Sequence, residues 1–500
     1  MATPESFGRL EQRLGQVWEI AQHFNLDPFP THFEIIPPEI MHEIGSTGLP
    51  ERFSHWTHGK TYRQLQTRYN YGLSVIYEVV INSDPALAFL LENNFDVENT
   101  TIMAHVLGHT DFFKHNYHFK KTRKDLPHAA AISAARIRDY EFKYGREPVE
   151  QFLDAALSIA EHIDPFQATR LPKEDQLAKW KAEYEEGQKP KTGMGEFDDL
   201  FEKSPSKDAG ITKEEHQPMP IPLQPEKDLV GFIADFAPYL EDWQKDILHI
   251  VRMESSYFHP QGRTKIMNEG YATYWHKIIM REMSDKGFLD QEEQIKWIAM
   301  HTGVITPTLK GLNPYYFGMK MFDFIEDYHN GNLEDAEKRW LDKEKLPVFP
   351  KYKGEYVGSP GNKMVREIMK GDDDQSFIRN YFNKIPADRM GMYVYEELAE
   401  AGQKLTIIAD RGWERIRERL VASMNNDGNP YLVVTDANHN RNQSLYIKHL
   451  YEGRELELKY LEKTFPHLHT LWGRPVYVET VVGGNRVIFS YDGKQISQTA

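Results

Sequence analysis

Apolar residues recur at helical spacing from the start of the chain. Leu14, Val17, Trp18, Ile20 and Ala21 mark one helix across 12–24. Prolines at 28, 30, 37 and 38 then impose extended or turn structure. The pattern predicts helices over 63–80, from Asp84-Pro85 to Leu91, and over 100–113 with Asn99 as cap. Two more fall at 129–143 and 149–160. Periodicity returns at Leu229. It predicts a long helix over 235–258 stopped by Pro260, a second over 267–286 and a third over 323–340.

The period changes in the last hundred residues. Segments 432–435, 444–447, 476–479 and 487–490 read as strands, with Gly483-Gly484-Asn485 as a hairpin turn. Helices at 410–423 and 455–465 flank them, which makes a small α+β domain. Residues 171–228 are acidic or proline-rich with little periodicity and read as an extended connector. The expected organisation is a helical N-terminal domain over 1–170, the connector over 171–228, a helical region over 229–400 packed on the first to form one core, and the α+β domain over 401–500. The expected fold class is mainly α with a C-terminal α+β domain.

Five hundred residues suffice for roughly two to four domains. A net charge of −15 does not favour a phosphate backbone, so nucleic acid is not an expected partner. The chain has no cysteine, so neither disulfides nor thiolate metal ligands are available. Residues 1–14 lack a secretory h-region, and no run of about 18 apolar residues occurs. These features lead to the expectation of a cytoplasmic protein that is not integral to a membrane.

The chemistry concentrates in two stretches. His105 and His109 stand four apart, which on a helix places them about 40° apart around the axis with Cβ atoms roughly 6 Å apart. Two imidazoles so placed can share one Zn²⁺ or another divalent ion. Gly108 leaves room for a close approach. Farther on, Asn268-Glu269-Gly270 with Ala272 and Tyr274 resembles the segment that supplies the carboxylate ligand in zincins of the gluzincin class. The resemblance implies Glu269 as third ligand and a helical, metallopeptidase-like core. His276 shares that helix face as a further ligand, acid/base group or outer partner.

The gluzincin His-Glu-x-x-His motif departs here at Val106, where the general base stands in that class. Valine takes no proton, so another group would have to serve. Glu254, Glu141, Asp111 and His276 are the candidates, each with an alternative as a structural partner. Arg136, Arg138, His259 and Arg263 are candidate substrate contacts, with 259–263 as a loop covering the site. Tyr315, Tyr316 and Phe317 read as core. Three readings stay open: a metal-dependent hydrolase acting on an amide bond in a cell-wall precursor or peptide, a non-catalytic assembly or regulatory protein on an inactivated metallopeptidase-like fold, and a polar core without metal.

Longer motifs resemble one family across most of residues 10–490. They are Arg52-Phe53-Ser54-His55-Trp56, Tyr77-Glu78-Val79-Val80-Ile81-Asn82-Ser83-Asp84-Pro85, the His105/His109 stretch, Arg136-Ile137-Arg138-Asp139-Tyr140-Glu141, His162-Ile163-Asp164-Pro165, Met267-Asn268-Glu269-Gly270 and Gly311-Leu312-Asn313-Pro314-Tyr315. Together they resemble the stage V sporulation protein R (SpoVR-like) family of bacteria. The resemblance implies a setting in spore cortex (peptidoglycan) formation. In bacteria that make no spores it implies stress-response partners, a serine kinase and a von Willebrand-type protein. It implies no molecular activity.

Overall fold

The computed structural model describes residues 4–70, 78–165, 175, 178, 182, 221–307, 311–400 and 403–499. The expected connector lies outside the described residues up to 220, apart from three isolated positions. The chain is mainly helical with a C-terminal sheet domain. It divides into two compact units, one of residues 1–147 and 256–429 and the other of residues 148–255 and 430–500. No described helix is long and apolar enough to cross a membrane.

The first unit is built on three helices. Lys265–Asp285 runs between Asp96–His115 and Pro314–His329. Small residues let these rods approach closely. A Cβ on Gly108 would stand 2.7 Å from the Ala272 Cα, and one on Gly270 would stand 2.4 Å from the Gly318 Cα. Gly108 thus makes the room expected of it, and the neighbour that uses the room is the Glu269 helix. Trp275, Tyr271, Tyr274, Phe112, Phe317 and Phe322 fill the core around the crossings and are almost fully buried.

A three-stranded sheet lies in the same unit, with β1 (Thr31–Ile36), β2 (Glu78–Ile81) and β3 (Ala86–Leu91) in the order β1-β3-β2. β1 pairs parallel with β3, and β2 pairs antiparallel, placing Glu78 opposite Leu90. Two helical expectations fail here. Residues 78–80 and 86–91 are strands, because short apolar runs rich in Val, Ile, Leu and Phe satisfy a sheet as well as a helix. Of the helix expected over 63–80, residues 63–70 lie in the helix Trp56–Asn70 and residues 71–77 lie outside the described residues. The unit also carries a hairpin of β4 (Val394–Glu400) and β5 (Gln403–Asp410).

In the second unit, β6 (Leu432–His439), β7 (Ser444–His449), β8 (Val476–Val482), β9 (Asn485–Tyr491) and β10 (Ile496–Thr499) form one sheet in the order β10-β9-β8-β7-β6. β7 and β8 are parallel and joined through the helix Leu458–Trp472; the other pairings are antiparallel. The hairpin expected at Gly483-Gly484 is present, with φ of 57° and 82° at its two glycines, which is what a tight primed turn requires. Leu445, Ile447, Val476 and Val478 bury one sheet face, and the Phe232 and Trp472 rings stack at 6.0 Å.

Pro260 does not stop its helix. The expected 235–258 rod is two helices, Leu229–Phe236 and Asp242–Arg263, with Pro260 inside the second. A proline removes one donor, and the ladder resumes beyond it, where the Thr264 N–H donates to the Pro260 carbonyl at 3.0 Å. Consequently 259–263 is helix and not a covering loop.

Candidate metal centre

The helix that carries the two histidines begins before its expected cap. Asp96–His115 has Asp96 and Glu98 in its first turn and Lys114 and His115 in its last, each sign matching the macrodipole. The Phe95 N–H donates to Glu98 Oε2 at 2.8 Å. Asn99, expected as the cap, lies one turn inside and donates to the Leu91 carbonyl, tying the helix to the end of β3. Residues 99–113 are buried without interruption, so the whole circumference is packed. The start of the Glu269 helix is capped from outside: Asp374 accepts the Ile266 and Met267 N–H groups at 2.8 Å each.

These two helices and β2 bring four side chains together. Glu78, His105, His109 and Glu269 place one ligand atom each within 4.8 Å of one another. His105 Nε2 lies 3.2 Å from Glu78 Oε1 and 3.6 Å from Glu269 Oε2. His109 Nε2 lies 3.6 Å and 3.4 Å from the same two atoms. A tetrahedron of donors about 2.0–2.1 Å from a central ion has edges of about 3.3–3.4 Å. The four measured distances bracket that value.

The far side of each imidazole is occupied. His109 Nδ1 lies 2.9 Å from Asn268 Oδ1, an acceptor, so His109 carries a proton on Nδ1. His105 Nδ1 lies 2.8 Å from His276 Nδ1, and His276 Nε2 lies 2.8 Å from His301 Nδ1. The inward nitrogen of His105 and the inward oxygen of Glu269 are buried and have no hydrogen-bond partner. Buried orphans of this kind are rare in folded proteins. A cation between them satisfies both, and the mixed N/O donor set suits Zn²⁺ or a similar divalent ion.

The electrostatics agree. Burial alone would raise the Glu269 carboxyl, but the His105 and His109 imidazoles outweigh it and hold the group well below the usual carboxylate range. Burial likewise opposes charge on His109, yet Glu269 and Glu78 push it up to about 10. The pocket therefore draws in positive charge, as a proton or as a metal. Burial keeps His276 well below its ordinary value. Tyr315, its hydroxyl on Glu269, is raised well above the phenol range by burial and by the Glu269 and Glu78 carboxylates.

Among the sequence candidates, His105, His109 and Glu269 converge, with His276 directly behind His105. The others are elsewhere. Val106 is fully buried in the apolar core. Asp111 accepts the Asp27 N–H at 2.8 Å and the Tyr271 hydroxyl at 2.6 Å. Arg136 and Arg138 are exposed and Glu141 half-buried on the helix Leu126–Tyr144, outside the four-residue cluster. Glu254 is buried and belongs to the second unit. His259 pairs with Asp427 at 2.7 Å, and Arg263 pairs with Asp373 at 2.7 Å and with Asp427 at 3.5 Å.

Sequence reasoning missed Glu78, Asn268, His301 and Tyr315. Glu78 was hidden by the helical reading of 63–80; an acid leading Val79-Val80-Ile81 is the signal of a strand delivering one polar group. Tyr315, grouped with the core, lies with its ring 6.0 Å from that of His105, whereas Phe317 is core as expected.

Comparison with known proteins places the chain. It is 29% identical over 492 residues to the uncharacterized protein YcgB of Escherichia coli (strain K12), covering 95% of this chain and 92% of that protein. No solved structure matches it. The family model described as SpoVR like protein matches residues 5–429, and that of the SpoVR-like C-terminal domain matches 430–483. The junction between the two falls where the first unit ends, at 429/430. The chain belongs to the SpoVR-like protein family.

Proposed function

We propose that this SpoVR-family chain is a metalloprotein whose His105, His109 and Glu269 hold one divalent cation beside Glu78, with zinc best suited, and that the centre hydrolyses an amide bond in a cell-wall precursor or peptide. The setting is the family's association with spore cortex formation, or with stress response, in the cytoplasm. The observation that carries the metal is the meeting of two imidazole nitrogens and two carboxylate oxygens at 3.2–3.6 Å across the four His–Glu pairs, with an unsatisfied nitrogen and oxygen among them. The layout is metallopeptidase-like: two histidines one turn apart and a carboxylate from a second helix.

A bound cation supplies Lewis acidity. The protein's own groups supply the rest. His105 and His109 are held in place by hydrogen bonds on their outer nitrogens. Glu78, coming from a strand, takes the proton-accepting role that Val106 cannot fill. The Tyr315 hydroxyl, beside Glu269, is placed to donate to an oxyanion.

A second reading is favoured by the donor count. Four protein ligands close a tetrahedron, as structural zinc sites do, and Val106 removes the usual base. The centre would then stabilise a non-catalytic assembly or regulatory protein. Elemental analysis of the purified full chain beside His105→Ala/His109→Ala tests the metal: about one equivalent is expected in the first and almost none in the second. A trace of metal in both ends the proposal. Glu78→Gln separates the readings. Retained metal with turnover of a peptide amide lowered at least 100-fold fits the hydrolase, and lost metal fits the closed structural site.

A further inference from the structure

The two imidazoles of the centre are supported differently. His109 rests on one neighbour, Asn268. His105 heads a row of three rings on three helices, through His276 to His301 on Gln291–Val304. Each nitrogen–nitrogen contact in the row needs one N–H and one lone pair. Only two consistent arrangements exist for neutral rings. In one, His105 donates from Nδ1 to His276 Nδ1, and His276 donates from Nε2 to His301 Nδ1. The Nε2 of His105 then offers its lone pair to the centre. In the other, every hydrogen bond is reversed and His105 presents an N–H to Glu78.

The geometry favours the first. His105 Nε2 approaches Glu78 Oε1 at 3.2 Å, yet it forms no hydrogen bond there. The chain must then end in an acceptor, and that acceptor is His301 Nδ1. A neutral His301 is also what its surroundings enforce, since burial together with the nearby Lys277 ammonium lowers it to about 4. The helix that carries His301 has no fully buried residue. The outermost ring of the row is thus set by the most exposed of the elements that build it.

We propose that His301 is a positioning residue of the metal centre: by accepting from His276 it fixes the hydrogen-bond direction of the row and turns the Nε2 lone pair of His105 towards the cation. The inference rests on the metal reading above and extends it to a helix that supplies no ligand. Seating of Gln291–Val304 then governs metal retention.

The test compares full-length wild type, His301→Ala, His301→Asn and His105→Ala/His109→Ala. Zn²⁺ affinity is measured by competition with a chromophoric chelator, coordination by the visible spectrum of the Co²⁺-loaded protein, and folding by the melting temperature of the metal-free protein. His301→Ala is expected to weaken Zn²⁺ binding about 10- to 100-fold and shift the Co²⁺ bands, with the metal-free melting temperature unchanged. His301→Asn offers an oxygen near the position of Nδ1 and restores affinity to within roughly threefold. Wild-type affinity and spectrum in His301→Ala, beside loss of metal in the double variant, overturn the proposal and leave the metal reading standing. A loss of affinity that follows a fall in the metal-free melting temperature, without rescue by asparagine, also overturns it. Failure of the wild type to bind Zn²⁺ or Co²⁺ brings down the metal reading itself, and this inference with it.

Discussion

Two of the histidine–carboxylate clusters in the first unit resolve their charge differently. At 373/427, every carboxylate meets a cation or an imidazole. Asp373 takes Arg263 at 2.7 Å and His118 at 3.8 Å, while Asp427 takes His259 at 2.7 Å and Arg263 at 3.5 Å. At 78/269, two carboxylates face two imidazole nitrogens, and no arginine or lysine stands among the four donors. Arg263 is the permanent charge that closes the first cluster. The second has no such cation among the described residues, and the inward His105 nitrogen and Glu269 oxygen have no hydrogen-bond partner. Balance marks a scaffold, and a mismatch kept inside a well-packed core marks a place for something else to bind.

Another carboxylate in the same unit shows the remaining solution. Glu326 accepts the Tyr274 hydroxyl at 2.8 Å, and burial raises it to about 7. It neutralises instead of pairing. Glu269, more deeply set, is driven the opposite way. A buried acid that stays ionised beside a second acid requires compensating positive charge, which at this centre is a cation or the proton on His109.

Loss of the proposed cation should therefore be the most damaging change. Chelation of the loaded wild type, or His105→Ala/His109→Ala, is expected to lower the melting temperature sharply, since a ligand at about 1,000 times its Kd stabilises by about 4 kcal/mol. Scanning calorimetry with and without chelator checks this. Equal melting curves would erase the distinction between the clusters. Arg263→Ala is the matched experiment on the balanced side. It leaves Asp373 with His118 and Asp427 with His259 but without the permanent charge, and should cost about 2 kcal/mol in chemical denaturation, less than a fully buried pair because the arginine is partly exposed. Metal content should not change; a loss would show that the two clusters are one system.

A smaller change tests how far the outer contacts matter. Asn268→Ala removes the acceptor that orients His109. It should weaken Zn²⁺ about tenfold by chelator competition without displacing the metal at saturation. No change in affinity would mean that helix packing alone sets the ring.

Three of the four donors could be read from the chain because their signals are local. His105 and His109 announce themselves by helical spacing, and Glu269 by the Asn-Glu-Gly motif. Glu78 has no such grammar. Its place depends on the antiparallel pairing of β2 with β3, a contact the one-dimensional pattern does not carry. The same gap explains the misread strands: Val79-Val80-Ile81 and Ala86–Leu91 are too short for periodicity to separate sheet from helix. The C-terminal strands were legible because Gly483-Gly484 fixed a turn and alternation ran on both sides. His301 was invisible for another reason: its role consists of one hydrogen bond to a residue 25 positions away.

The neutralised acid gives the mildest prediction and the cleanest sign. Glu326 ionises near its ordinary 4.5 when unfolded and at about 7 when folded. Between those values the folded state holds a proton that the unfolded state has released. Its contribution to stability is therefore present at low pH and lost as pH rises from about 4.5 through 7. Glu326→Gln keeps the neutral shape and should melt above wild type at pH 8, by an amount on the order of 1 kcal/mol, with the difference closing towards pH 4.5. Denaturant titrations of both proteins across that range measure it. A constant difference would mean that Glu326 is ionised in the fold, so that this unit tolerates an unpaired buried carboxylate without either metal or proton; the contrast with the 78/269 centre would then no longer argue for a bound ion.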